Sequence, residues 1–250
     1  MASAKATFVM SLLVVATSGV MAARDIPEFL HICDTREPNY EKCIGESIEY
    51  LKPYLKIGVP DYNIPSLEPL NLKKLTFTPT STIRIQASDI EAYGSSNFDV
   101  KKAKLDFNTN VFLVDVALPN LKVEGRYDID GKLLLLPIRG SGPLHGNFSN
   151  CIGACKIQVA KHFDKNGEEK MRIMDFKLKV SVGTGTLKFD NLFGGDRVLG
   201  DAVNSAINNN FDLFIKELMP LVEKALSDAF KTIADNIVGQ FTFAQLFPGA

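Results

Sequence analysis

The chain of 250 residues has no tryptophan, 3 histidines and 4 cysteines. Its net charge is -1. Each scarcity excludes something. Without a basic excess there is no stripe of Lys and Arg to neutralise phosphates, so nucleic acid is not an expected partner. His31, His145 and His162 form no HExxH pair, which removes one large class of zinc hydrolase. No GxSxG elbow is present, so no α/β-hydrolase nucleophile is signalled. Gly140-Ser141-Gly142 and Gly183-Thr184-Gly185 are lone glycine pairs that lack the full dinucleotide fingerprint. Asp128 and Asp130 read as hairpin residues rather than metal ligands. Asp115, an acid inside an apolar strand, reads as an outward-facing residue. No catalytic residue, cofactor or metal is called for. After the N-terminus no stretch reaches the roughly 18 continuous apolar residues of a membrane helix, so stable membrane insertion is not expected.

What is present begins with a leader. Lys5 supplies a positive start and Phe8 to Val15 an apolar core broken only by Ser11. Val20-Met21-Ala22 is a small-residue cleavage site, with Ala23 the alternative. Residues 1–22 are therefore expected to be a secretory signal peptide, and 23–250 the mature, extracellular chain as one domain. Secretion permits disulfides. Four cysteines allow three pairings. A Cys33–Cys43 bridge would staple the start of the fold. A small-loop bridge between Cys151 and Cys155 is preferred to metal or redox chemistry, because no second pair or histidine stands at zinc spacing. Asn147-Phe148-Ser149 is a glycosylation sequon on Asn147.

The 17 Phe and 6 Tyr supply either a large core or an apolar cavity. Their pattern gives the elements. Asp25 to Glu28 looks like a helix start. Ile44, Ile48, Leu51 and Leu55 make one face of a helix over 39–55, followed by a proline-punctuated linker to Pro69. From about Leu70 to Phe189 the chain alternates as strands. The clearest runs are 82–86, 104–108, 111–117, 120–124 and 172–182. Asp130-Gly131, Gly140 to Pro143 and Asn166-Gly167 are the turn signals. No helix intervenes, so the strands form an antiparallel meander. After Gly194-Gly195, with Asp196 as the cap, one amphipathic helix of roughly 40 residues is expected. Phe211, Phe214, Leu218 and Val222 lie on its apolar stripe, and Pro220 would kink it. Asn208, Glu223 and Asp235 lie on its polar face. The expected fold is α+β, a long C-terminal helix wrapped by a highly curved antiparallel sheet. Such wrapping leaves room for an apolar tunnel. Its lining would be the helix stripe together with Leu113, Val123, Leu136, Ile173 and Phe176.

A set of motifs then stands in order along the chain. They are Cys33 and Cys43, Gly58-Val59-Pro60, Ile64 to Leu70, Gly125-Arg126-Tyr127 to Gly131, Leu136-Pro137-Ile138-Arg139-Gly140-Ser141-Gly142, Leu192 to Gly200, Asn204, Asn208 to Asn210, and Leu246-Phe247-Pro248. In this order the chain resembles the insect haemolymph juvenile hormone-binding and takeout-like family. The resemblance implies a tubular lipid-binding (TULIP-like) fold, a Cys33–Cys43 disulfide, and carriage of a small hydrophobic ligand by a non-enzymatic monomer. The ligand would be juvenile hormone, another terpenoid or a fatty-acid-like lipid. It also implies that Tyr127 matches the sheet tyrosine that hydrogen-bonds ligand in the hormone carriers. Cys151 and Cys155 depart from the family's long-range second bridge, and Phe211 stands where relatives often have Trp. Both lean towards the takeout-like branch. Family members are linked with feeding, circadian output, behaviour and chemosensation, and the sequence does not choose among these. The rival reading is a secreted signalling protein that uses the fold without cargo.

Overall fold

The computed structural model describes residues 25–77, 83–133 and 136–250. The expected leader, 1–22, lies outside them. Residues 25–39 hold turns rather than the expected first helix. A segment that short nucleates a helix poorly, and Phe29 is instead buried as an anchor against Tyr54 and Tyr62. The helix expected over 39–55 is two pieces, α1 (Tyr40–Tyr50) and α2 (Lys52–Ile57). Pro53 starts the second piece, where its missing N–H costs nothing.

Among the described residues seven strands follow: β1 (Leu70–Phe77), β2 (Ile83–Tyr93), β3 (Asp99–Asp106), β4 (Val111–Leu133), β5 (Leu136–Phe163), β6 (Glu169–Ser181) and β7 (Thr184–Phe189). Two runs that read as separate strands, 111–117 and 120–124, are one strand of 23 residues. Gly131 pairs with Ile138 inside the ladder, so the β4–β5 turn falls beyond Asp130-Gly131. Likewise Gly140 to Pro143 lies within β5. Asn166-Gly167 is a true turn, with Gly167 at φ 78.

The long β4–β5 hairpin is the spine of the sheet. Its register is unbroken from Val111↔Gln158 to Leu133↔Leu136. Along it the neighbours change. One half carries β3 on β4 and β6 on the far part of β5. The other carries β1 and β2 beside β4, and β7 beside the near part of β5. The apolar face changes too. In the first half Phe112, Val114, Val116 and Leu118 pack inward, opposite Ile157, Cys155, Gly153 and Cys151. In the second half the other pleat is apolar: Tyr127 and Ile129 are buried, as is Ile138 on β5. Side chains alternate across a strand, so the hairpin turns one pleat inward at one end and the opposite pleat at the other. The joint is at Pro119 and Asn150. Pro119 lies beyond the β3 pairing and before the β2 pairing, where no donor is needed for either strand. Asn150 adopts φ 55.

The C-terminal stripe is also two helices, α3 (Arg197–Asn209) and α4 (Phe211–Val238), with a short α5 (Phe243–Leu246). Asp196 caps α3 as expected, accepting from Leu199 N–H at 3.1 Å. The break comes at Asn210, while α4 runs through Pro220.

The expected highly curved sheet wrapped as a tube is corrected by the strand order. The path is β1-β2-β4-β5-β6, so β1 and β6 are edges that do not meet. The sheet is open, neither closed nor strongly curled. Helix α4 packs chiefly on β6. What substitutes for closure is a ladder of side chains from the helices to the exposed strand edges. Asn204 accepts from Phe189 N–H and donates to its carbonyl, at 2.9 and 3.0 Å. Asn208 does the same at Leu187, at 2.9 and 2.8 Å. On α4, Glu223 accepts from Val180 N–H (3.0 Å), Ser227 from Leu178 N–H (3.0 Å) and Asp235 from Ile173 N–H (2.6 Å). The spacing follows from geometry. Four residues of helix rise about 6 Å and two residues of strand about 6.7 Å, so an i,i+4 pair on a helix meets an i,i−2 pair of amides on a strand. Residues that read as a solvent face are thus edge caps.

Candidate functional site

Among the described residues the interior divides into four apolar clusters rather than one. At one end Tyr127, Ile129, Ile138, Leu187, Phe189 and Leu192 meet Ile207, Phe211, Phe214 and Ile215. At the other, Ile157, Val159, Met171, Ile173 and Phe243 pack with Phe112, Phe176 and Phe247. A third joins Phe29, Tyr62 and Ile64 to Phe241, which is 0% exposed. The fourth joins Leu67, Leu70 and Phe98 to Val116, Leu118, Leu226 and Phe230. At the margins of the second and fourth clusters Phe176, Leu226 and Phe230 are only half-buried, as is Val222 on the same helix stripe. Phe176 and Phe230 stand ring to ring at 6.2 Å.

The structure distributes the expected lining residues over this interior. Tyr127, Phe211, Phe214 and Leu218 come together in the first cluster. Ile173 and Phe176 lie in the second. Val123 is half-buried on the pleat of Tyr127, and Val222 is half-buried on α4. Leu113 is half-buried on the pleat of Asp115, opposite buried Val114, and pairs with Lys104 and Lys156. Leu136 opens β5, and its side chain lies outside the described part of the structure.

Tyr127 is committed within the protein. Its hydroxyl donates to the Asp190 carbonyl at 2.5 Å, and its ring meets Phe189 edge-on at 5.0 Å. Burial, with a contribution from the Asp190 charge, pushes its pKa up to about 12. Tyr40 is the contrasting case. It is 8% exposed, and its hydroxyl is buried with no hydrogen-bond partner among the described residues. The sequence reading missed it, although it stands four residues before Ile44 and continues the stripe of Ile44 and Ile48.

The Cys33–Cys43 bridge is formed, with Cα atoms 5.9 Å apart. The expected Cys151–Cys155 bridge is not. Both are free, on one continuous strand. Four residues of strand span about 13 Å, beyond the roughly 7 Å that a disulfide tolerates. Burial raises both thiol pKa values, that of Cys155 to about 11 with Asp115 adding to it, so neither is an activated thiolate. Asn147 is exposed on β5. Among the described residues His31 lies with Cys33 and Cys43 at metal-binding distances, but the two sulfurs are already bonded to each other. A surface cleft of about 340 Å³ is lined by Lys52, Pro53, Lys56, Ser96, Asn97 and Asp99, a polar lining unsuited to an apolar ligand. No described helix is long and apolar enough to cross a membrane.

Comparison with known proteins matches this architecture. The circadian clock-controlled protein daywake of Drosophila yakuba is 23% identical over 238 residues, covering 90% of each chain. Its Drosophila melanogaster counterpart is 23% identical over 240 residues, covering 91% of this chain and 90% of its own. A putative beta-carotene-binding protein of Schistocerca gregaria is 21% identical over 213 residues, 85% of each. The crystal structure of Epiphyas postvittana Takeout 1 superposes with a TM-score of 0.77 at 20% identity, over 87% of this chain and 99% of that one. The family model for haemolymph juvenile hormone binding protein matches residues 10–248. That match spans nearly the whole chain, and the chain belongs to the haemolymph juvenile hormone binding protein family.

Proposed function

We propose that the protein is a secreted monomeric carrier that holds a small hydrophobic ligand, a terpenoid or fatty-acid-like lipid, in the apolar interior between α4 and the sheet. Its family is one of binding proteins, and the chain is a binding protein rather than an enzyme. The observation that carries the reading is the divided interior. The α4 stripe and Phe176 pack beside buried clusters yet keep accessible surface, as the wall of an apolar site does. Burying an acyl or isoprenoid chain there gains about 0.8 kcal/mol per CH₂. A chain of roughly ten carbons thus gains about 8 kcal/mol, the equivalent of about micromolar binding before the cost of association is deducted. The leader-like sequence of residues 1–22 supports export, and the name of the Schistocerca relative supports an apolar cargo.

The test is native mass spectrometry of the secreted protein, then solvent extraction and identification of what is released. An apolar molecule at near one per chain is expected. A clean unliganded mass, with no uptake on incubation with juvenile hormone or long-chain lipids, would replace the carrier with a cargo-free signalling protein.

A further inference from the structure

We propose that Tyr40, rather than Tyr127, donates the hydrogen bond that a ligand's polar head group receives inside this protein, and that the ligand therefore carries a carbonyl-type oxygen at one end of its apolar chain. The proposal rests on the carrier reading and adds the head-group chemistry and its position.

A buried hydroxyl without a partner costs free energy comparable to a lost hydrogen bond, so native proteins keep few of them. Tyr40 is such a group. Tyr127 is not, because the Asp190 carbonyl already takes its proton. The surroundings of Tyr40 connect it to the interior. Its helix packs on β3, where Gly45 lies close to Val100 and Ala103, and Ile48 on the same stripe packs against the Leu67–Leu70–Phe98 cluster. Its ring stands 6.0 Å from Phe107, which meets Phe247 at 5.9 Å, which in turn meets Phe243 at 5.3 Å. Phe243 belongs to the cluster of Ile173 and Phe176. A chain of rings thus runs from Tyr40, past Phe107 at the surface, to the half-buried wall.

The same end is closed by both ends of the described chain. Thr35 donates to the Pro248 carbonyl through its N–H and its hydroxyl, each at 3.0 Å. The Cys33–Cys43 bridge ties that strap to α1 three residues after Tyr40. A head group at Tyr40 would sit beneath this strap, with its tail directed along α4.

The experiment is displacement of N-phenyl-1-naphthylamine from delipidated protein by methyl hexadecanoate and by hexadecane. It is run on wild type, Tyr40→Phe and Tyr127→Phe. Tyr40→Phe is expected to weaken the ester by roughly three- to tenfold, the worth of one net hydrogen bond, and to leave the hydrocarbon unchanged. An ester affinity in Tyr40→Phe unchanged from wild type, an equal loss for ester and hydrocarbon, or a selective ester loss in Tyr127→Phe, would overturn the assignment while leaving the carrier reading intact. If neither competitor displaces the probe from wild type, the carrier reading fails and the assignment with it. Should Tyr40→Phe not fold, the infrared carbonyl stretch of ¹³C-labelled methyl hexadecanoate on wild type decides. A hydrogen-bonded downshift relative to hexane supports the proposal, and an unshifted band rejects it.

Discussion

At the scale of single residues, Tyr40 and Tyr127 behave differently because, among the described residues, only the Tyr127 hydroxyl of this pair has a hydrogen-bond partner. Tyr127 is neutral in the fold and titrates at about 12 against an ordinary value of 10.0. A phenol whose folded pKa lies above its unfolded value contributes stability that is complete below pH 10 and is lost as pH rises through 12. The urea midpoint is therefore expected to fall between pH 10 and 12. Tyr127→Phe should flatten part of that fall; Tyr40, which burial pushes up to about 12 as well, and Cys155, raised to about 11, contribute further parts. At neutral pH Tyr127→Phe should cost about 1–2 kcal/mol, because the Asp190 carbonyl loses its donor. A midpoint independent of pH over that window would contradict the burial of both hydroxyls. Tyr127 was legible as a special residue from its motif. Its engagement with Asp190 was not, because the partner lies 63 residues away.

At the scale of elements, the i,i+4 caps explain why α3 and α4 carry polar side chains on faces that touch protein. Asn208→Ala leaves the Leu187 N–H and carbonyl without their partners and is expected to cost about 1–3 kcal/mol. It should also speed hydrogen exchange at the Leu187 amide ahead of global unfolding. Protection unchanged at that amide would mean that α3 does not close the edge. The change of apolar pleat along β4 gives a second test. Val114→Asp, on the inward pleat of the first half, should destabilise by about 3 kcal/mol or more. Leu113→Asp, one residue away beside exposed Lys104 and Lys156, should cost about 1 kcal/mol or less. Comparable losses in urea unfolding would refute the pleat assignment. Alternation made the strands visible in sequence. It could not show that 111–117 and 120–124 are one strand, since Pro119 and the inversion of phase between them mimic a turn.

At the scale of the whole molecule, the strap from Thr35 to Pro248 and the Cys33–Cys43 bridge hold the end at which Tyr40 lies. Replacing both cysteines with serine frees a ten-residue loop and should cost about 2–3 kcal/mol. It should also raise the dissociation rate of a bound apolar probe such as N-phenyl-1-naphthylamine. An unchanged off-rate at reduced stability would show that the strap braces the fold without gating it.

What the sequence determined by itself is what local chemistry decides. Period-two and period-three-to-four patterns marked the antiparallel strands and the C-terminal helical stripe, though not the strand order, in which β2 skips β3 to pair with β4 and β7 returns to β5; Asp196 marked a cap, and the ordered motifs marked the family. Close spacing in a permissive compartment marked Cys33 and Cys43. Tertiary structure alone decided the rest. The β6 and β7 edges take no further strand because α4 and α3 cap their amides. Asn208, Glu223 and Asp235 are caps rather than a wet face because strand amides stand at the matching rise. Cys151 and Cys155 stay apart because one extended strand separates them. Each outcome depends on where a distant backbone donor, acceptor or side chain comes to lie, and a linear pattern does not carry that information.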